Sequence, residues 1–189
     1  VDFVYRATDK LNITGMASFG DWKWQNNIED VRIFDEDQVE IDDSPVNLHI
    51  AGLKVADAAQ TTMALGLNYK LTPTTRLIVD YNYYADIYAD FNPSDRGVTS
   101  NLTDPDAAAA EIAATLATDA PQAWKLPNYG LFDLALSHGF KFGSFDATLT
   151  GRMNNVFDTE YISDAQDRSG SIAETALVYF GFGRTFSIG

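Results

Sequence analysis

The dominant period of this sequence is two. One row carries Phe132, Leu134, Leu136, Phe140 and Phe142, and the row between them carries Asp133, Ala135, Ser137, Gly139 and Lys141. The same split sets Leu77, Val79, Tyr81 and Tyr83 against Arg76, Asp80, Asn82 and Tyr84, and Met63, Leu65, Leu67 and Tyr69 against Thr62, Ala64, Gly66 and Asn68. Alternation of this kind marks a strand with one apolar and one polar face. It predicts seven strands, at residues 1–7, 11–25, 48–71, 75–88, 129–142, 144–154 and 172–188. Tight turns at Thr8-Asp9-Lys10, Thr72-Pro73-Thr74 and Gly143-Ser144 alternate strictly with long connections at 26–47, 89–128 and 156–171. All short turns therefore lie at one end and all long loops at the other.

Long strands joined in this way are the sequence pattern of a transmembrane antiparallel β-barrel. A soluble sandwich can alternate too, but its strands usually run nearer five or six residues. Single-chain bacterial barrels have an even strand number of eight or more. Seven strands, with Val1 already inside the first, lead us to expect further strands upstream.

Composition narrows the function. The formal charge of −14 repels phosphate backbones, so nucleic acid is not an expected partner. With no cysteine there is no disulfide framework and no thiolate site, and two histidines, His49 and His138, do not suggest a histidine-rich zinc centre. The longest charge-free stretch, Ala58 to Tyr69, is too short for a membrane-spanning helix.

No enzyme motif stands out: there is no G-x-S-x-G, G-x-G-x-x-G, P-loop or H-E-x-x-H. A Ser/His/Asp set drawn through His138 would sit on an apolar strand row, so no catalytic residue is assigned. The acidic run Asp35, Glu36, Asp37, Glu40, Asp42, Asp43 is oxygen-rich, but it lacks the calcium-loop spacing and reads as a solvated loop. Asp90, Asn92, Ser94 and Asp95 alternate oxygens around Pro93 and read as a turn. No cofactor or metal is assigned. Asp104-Pro105 before "AAAAEIAATLA" predicts a capped short helix ending near Thr118.

Trp22, Trp24, Tyr83, Tyr84, Tyr88, Phe91, Trp124 and Tyr129 gather toward the long-loop side. Most suit an interfacial girdle. Phe91 and Trp124, inside a long connection, are the candidate ligand contacts.

The alternation of residues 143–153 breaks at Asn154-Asn155-Val156-Phe157-Asp158. The pattern of Asn154, Asn155, Phe157, Asp158 and Tyr161, followed by Gly181, Gly183, Arg184, Thr185 and Phe186, resembles the C-terminal strands of TonB-dependent outer-membrane receptors. "GDWKW" and "VADAAQTTMALGLNYKL" also resemble receptor strands. The resemblance implies the last third of a 22-stranded barrel in the outer membrane of a Gram-negative bacterium, multi-pass and in contact with outer-membrane lipid. It implies a receptor that binds a scarce nutrient (an iron chelate, cobalamin, an oligosaccharide or a peptide) and imports it with energy relayed by TonB. The inner-membrane energising complex, acting through a plug domain, and a surface lipoprotein are the implied partners. Nothing here matches a plug, and the chain stops at Gly189 where such receptors usually end on an aromatic residue. Arg184 shares the parity of the apolar Phe182 and Phe186, which in a continuous strand would aim a charge at lipid. A passive porin-type barrel and a soluble glycan-binding β-sandwich stay open as alternatives.

Overall fold

In the computed structural model, which describes residues 1–40, 45–99, 104–115, 122–168 and 170–189, twelve strands form three sheets. The large antiparallel sheet holds β1 (Asp2–Arg6), β2 (Leu11–Phe19), β5 (Thr61–Lys70), β6 (Thr75–Ala85), β8 (Tyr129–Phe142), β9 (Phe145–Asn154) and β12 (Thr185–Ile188), in that spatial order. Strands adjacent in this sheet are adjacent in chain order, so it is an up-and-down meander.

Register keeps like with like. Leu77 faces Leu136, Val79 faces Leu134 and Tyr81 faces Phe132, while Asp80 faces Asp133 on the other side. Leu67 pairs with both Ile13 and Val79, which extends the apolar row across the sheet. A one-residue slip of any strand would exchange these rows, so the faces pin the register. Thr8 and Thr72 close their turns with side-chain oxygens that accept the N–H of Leu11 and Thr75, both at 3.0 Å. Gly143, at φ +62, supplies the left-handed corner between β8 and β9.

The large sheet has seven strands, but five further short strands in the long connections were not expected, and three boundaries are corrected. The expected strand 11–25 ends at Phe19, and 48–71 shrinks to Thr61–Lys70. The expected strand 172–188 is two strands: β11 (Leu177–Phe180) pairs with β10 (Ile162–Gln166), and only β12 joins the large sheet. Residues 181–184 between them are not strand, so parity does not extend from Phe186 back to Arg184. The misfit of that arginine disappears with the corrected boundary.

The buried core is not where the long strands are. Among the buried hydrophobic residues only Ala85 and Ala135 belong to the large sheet. The rest lie in the three long connections, residues 20–60, 86–128 and 155–184, here the first, second and third loops. β3 (Ile28–Val31) and β4 (Val46–Leu48) of the first loop pair with each other, and β4 also pairs with β7 (Gly97–Thr99) of the second. Over them Val46, Leu48, Ile50 and Leu53 form one core, and Ile87, Ala89, Leu126 and Ala165 form another that joins the second loop to the third. The sheet meanwhile leaves Leu65, Leu134, Leu136, Leu149, Phe140 and Phe186 exposed on one face. A continuous apolar face of this kind needs an apolar environment.

The loop helix α1 (Pro105–Thr115) begins as expected, with the Asp104 carboxylate accepting the Asp106 N–H at 3.0 Å. The expected end near Thr118 lies outside the described residues, as do Asp42 and Asp43 of the acidic run. No helix of the described residues is long and apolar enough to cross a membrane.

Candidate functional site

The long loops meet at the end of the sheet opposite the short turns and tie one another down. Lys54 of the first loop is the hub. Its backbone N–H donates to Gln122 Oε1 at 2.9 Å, and Gln122 Nε2 returns a bond to Gly52 O at 2.9 Å. Its ammonium pairs with Asp21, reaches Gln60 Oε1 at 3.4 Å and lies 5.9 Å from the Tyr88 ring. Asp86, at the exit of β6, accepts from Lys125 Nζ at 2.6 Å and from Thr61 Oγ1 at 2.9 Å. Hydrogen bonding to Lys54 and Lys23 holds the Asp21 carboxyl below its ordinary range, and bonding to Lys125 does the same for Asp86.

Second and third loops share a buried charged cluster. Asp95 accepts the Gly170 N–H at 3.1 Å, Asp167 accepts the Trp124 N–H at 3.1 Å, and Arg96, 3% exposed, lies beside both aspartates. Burial pushes the Arg96 guanidinium down and the Asp167 carboxyl up, and their mutual attraction opposes both shifts. The Arg96 carbonyl also accepts from His49 N at 2.9 Å, which brings in the first loop. Nearby, Asp90 bonds through its backbone to Ala165 O and Asp167 N, at 2.9 and 2.7 Å. Asp57 of the first loop shares a hydrogen bond with Asp164 of the third. Burial first, then that bond and the charges of Asp90 and Asp164, push Asp57 up to about 6.

The expected ligand contacts, Phe91 and Trp124, are both half-buried and sit in different places. Phe91 packs on the first core and meets Trp24 edge-on at 6.1 Å. Trp124 packs on the second core, and its carbonyl accepts from Ala89 N at 2.9 Å. Each helps build the loop head rather than standing free above it. Of the proposed girdle, Tyr84 and Tyr129 turn to the polar face and stack at 5.1 Å. On the apolar side near this rim, Tyr81 meets Phe132 at 4.6 Å and Phe132 meets Phe157 at 5.3 Å.

The motif residues form a knot where β9 leaves the sheet and β12 enters it. Asn155, at φ +49 and 4% exposed, donates its backbone N–H to Asp133 at 2.8 Å. Its side-chain oxygen accepts from Thr159 N at 2.8 Å, and its nitrogen donates to the carbonyls of Thr159 and Phe182 at 2.9 and 3.3 Å. Asn154 Nδ2 donates to Thr185 Oγ1 at 3.1 Å. Tyr161 stacks on Tyr129 at 4.3 Å, and a Cβ on Gly181 would overlap its ring. Gly183 has Asp158 Oδ1 3.0 Å from where its Cβ would stand. Phe157, exposed, meets Phe132 edge-on at 5.3 Å, while Phe186 faces Met153 across the β9–β12 pair. Nothing in the spacing of the sequence announced the Asp95–Arg96–Asp167 cluster; the only cue was a charged pair beside Gly97.

No family model matches the chain. The crystal structure of the siderophore receptor PiuA from Acinetobacter baumannii superposes on 98% of it at TM-score 0.54, with 15% identity. The chain shares the fold of a segment of that receptor. Residues of this chain are 41% identical over 76 positions to the rhizobactin receptor of Rhizobium meliloti strain 1021, covering 38% of the chain and 10% of that protein. The ferric-catecholate import receptor Fiu of E. coli K12 aligns over 98% of the chain at TM-score 0.42 and 13% identity, too low a likeness to argue from. The chain spans a tenth of its curated relative and a fifth of PiuA. All three similar proteins are receptors by name.

Proposed function

We propose that this receptor segment belongs to an outer-membrane importer of iron chelates. The observation that carries the reading is the 41% identity with the rhizobactin receptor. The geometry supports it. The apolar row of the large sheet suits lipid, the polar row suits a lumen, and the loops make a built head on one rim. In this reading the sheet is the last third of a 22-stranded barrel, closed by strands outside the chain. A plug fills its lumen and TonB supplies the energy. The long loops face the medium and the short turns face the periplasm. Cobalamin, an oligosaccharide or a peptide are the other cargoes the same architecture would serve.

The test is uptake of radiolabelled iron by iron-starved cells with the complete receptor gene intact, deleted, or present in a strain without TonB. Loss of chelate-dependent uptake in both mutants supports the proposal. Uptake that persists without TonB points to a passive porin. Unchanged iron uptake with lost growth on cobalamin or an oligosaccharide redirects the cargo. Recovery of the chain in the aqueous fraction without detergent would sink the barrel reading itself.

A further inference from the structure

Charge in this chain is segregated by topology. The three loops hold 22 acidic and 7 basic residues, a formal −15, whereas the strands and short turns hold 5 acidic and 6 basic, a formal +1. Six of the seven loop cations sit beside a carboxylate in the fold, and the seventh, Arg168, is exposed. Lys23 and Lys54 pair with Asp21, Arg32 with Glu40, Lys125 with Asp86 and Arg184 with Asp158. Arg96 is buried between Asp95 and Asp167. Carboxylates such as Glu29, Asp37, Asp106, Glu111 and Glu174 remain exposed.

The negative sign continues down the wall. A groove of about 470 Å³ on the large sheet is lined by Asp2, Asp80 and Asp133 with Thr14 and Asn82, and no lysine or arginine lines it. Asp80 and Asp133 are direct cross-strand partners. Like charges so placed weaken a sheet unless a counter-charge offsets them. Of the six strand and turn cations, Arg6, Lys10, Lys70, Arg76 and Lys141 lie toward the short-turn end, and only Arg152 toward the other. On the loop side of this segment a solute therefore meets a net negative field from the head to the mid-wall, offset in part by Arg152 on the polar row and Arg168 in the head. Such a field raises the capture rate of an oppositely charged solute by roughly 10 to 1,000-fold and repels its anionic analogue.

We infer that the cargo presents at least one cationic group, a pendant ammonium being its simplest form. The inference rests on the iron-chelate reading and specifies which chelates the receptor takes. The test uses the complete receptor in iron-starved cells that lack other outer-membrane iron receptors. The probes are ferric hydroxamate, catecholate and citrate-type chelates, each with a pendant amine left free, acetylated or succinylated.

On whichever scaffold is imported, the free-amine form is captured at least about tenfold faster than the succinylated one at low ionic strength, and salt narrows the gap. The double variant Asp80→Asn, Asp133→Asn narrows it as well. Equal capture of the three forms, or faster capture of the succinylated one, overturns the charge inference and leaves the receptor reading standing. A gap that the double variant leaves unchanged overturns the part assigned to the wall. Uptake of no chelate on any scaffold overturns the receptor reading, and the charge inference with it.

Discussion

One oxygen of Asp158 accepts the backbone N–H of Arg184 at 2.7 Å while the other lies 3.6 Å from its guanidinium. This pair joins the exit of β9 to the entry of β12. It holds the arginine at the rim, where residues 181–184 have left the strand, instead of on the apolar row. Asp158→Ala removes both contacts. Because the guanidinium is partly exposed, the ion pair itself contributes little, about 0–1 kcal/mol. The expected loss is about 1–2 kcal/mol, mostly from the backbone bond. Denaturant unfolding of the detergent-solubilised receptor, read as the loss of its heat-modifiable band, checks this.

Gly181 is set flat against the Tyr161 ring. Gly181→Ala forces the ring off its stack on Tyr129, and overpacking of this kind costs about 1–3 kcal/mol. Combining it with Tyr161→Ala relieves the clash, so the double variant is less destabilised than the sum of the two singles. Additive effects in a double-mutant cycle would contradict the contact.

Asn155 combines a left-handed backbone with three side-chain bonds. Asn155→Gly loses the bonds but keeps the backbone geometry without strain, whereas Asn155→Ala loses both. The alanine variant is therefore less stable than the glycine variant by about 1 kcal/mol. The same melting assay ranks the two.

In the buried cluster, Asp167→Ala strips a partner from buried Arg96 and leaves the Trp124 N–H unpaired. Breaking a buried pair in this way costs about 3–5 kcal/mol. The loss should fall on the loop head, since none of these residues lies in the large sheet. Limited proteolysis will then cut the second and third loops faster while the barrel band keeps its mobility. A wild-type digestion pattern would show that the cluster does not hold the loops together.

Asp57 has its carboxyl pushed up to about 6 from 3.8. A raised carboxyl stabilises the folded head when protonated. That contribution is complete below the ordinary carboxylate value and disappears as pH rises through about 6. Asp21 and Asp86 are shifted the other way, so their contributions are lost as pH falls through the acid range. Amide exchange corrected for intrinsic rate should show the Asp90–Ala165 junction opening more readily at pH 7 than at pH 5. Asp57→Asn should flatten that trend; a slope it leaves intact would assign the effect elsewhere.

Period-two alternation and the strict order of short turns and long loops were enough to locate the seven strands of the large sheet, their two faces and the end on which the loops gather, but not the five short strands inside the loops. These are local properties. A strand's side chains alternate whatever lies beyond it, and a turn of two to four residues dictates its own pairing. The motif at Asn154, Asn155, Phe157, Asp158 and Tyr161 was legible as a pattern, but its chemistry was not. That Asn155 reaches Phe182, and that Tyr161 needs Gly181 to be a glycine, depends on chain segments more than twenty and about twenty residues apart being adjacent.

The sequence by itself determined the sheet, its register-defining faces and the amount of charge. Only the tertiary structure decided where the loops bury their apolar residues, which cations are already engaged and which way Arg184 points. The reason is physical. The loops have no period to read, because their small sheets and cores are built from contacts between different connections. Their cohesion rests on non-local pairs such as Lys54 with Gln122 and Asp95 with Gly170. The strands needed only their neighbours, while the loop head needed all three connections at once.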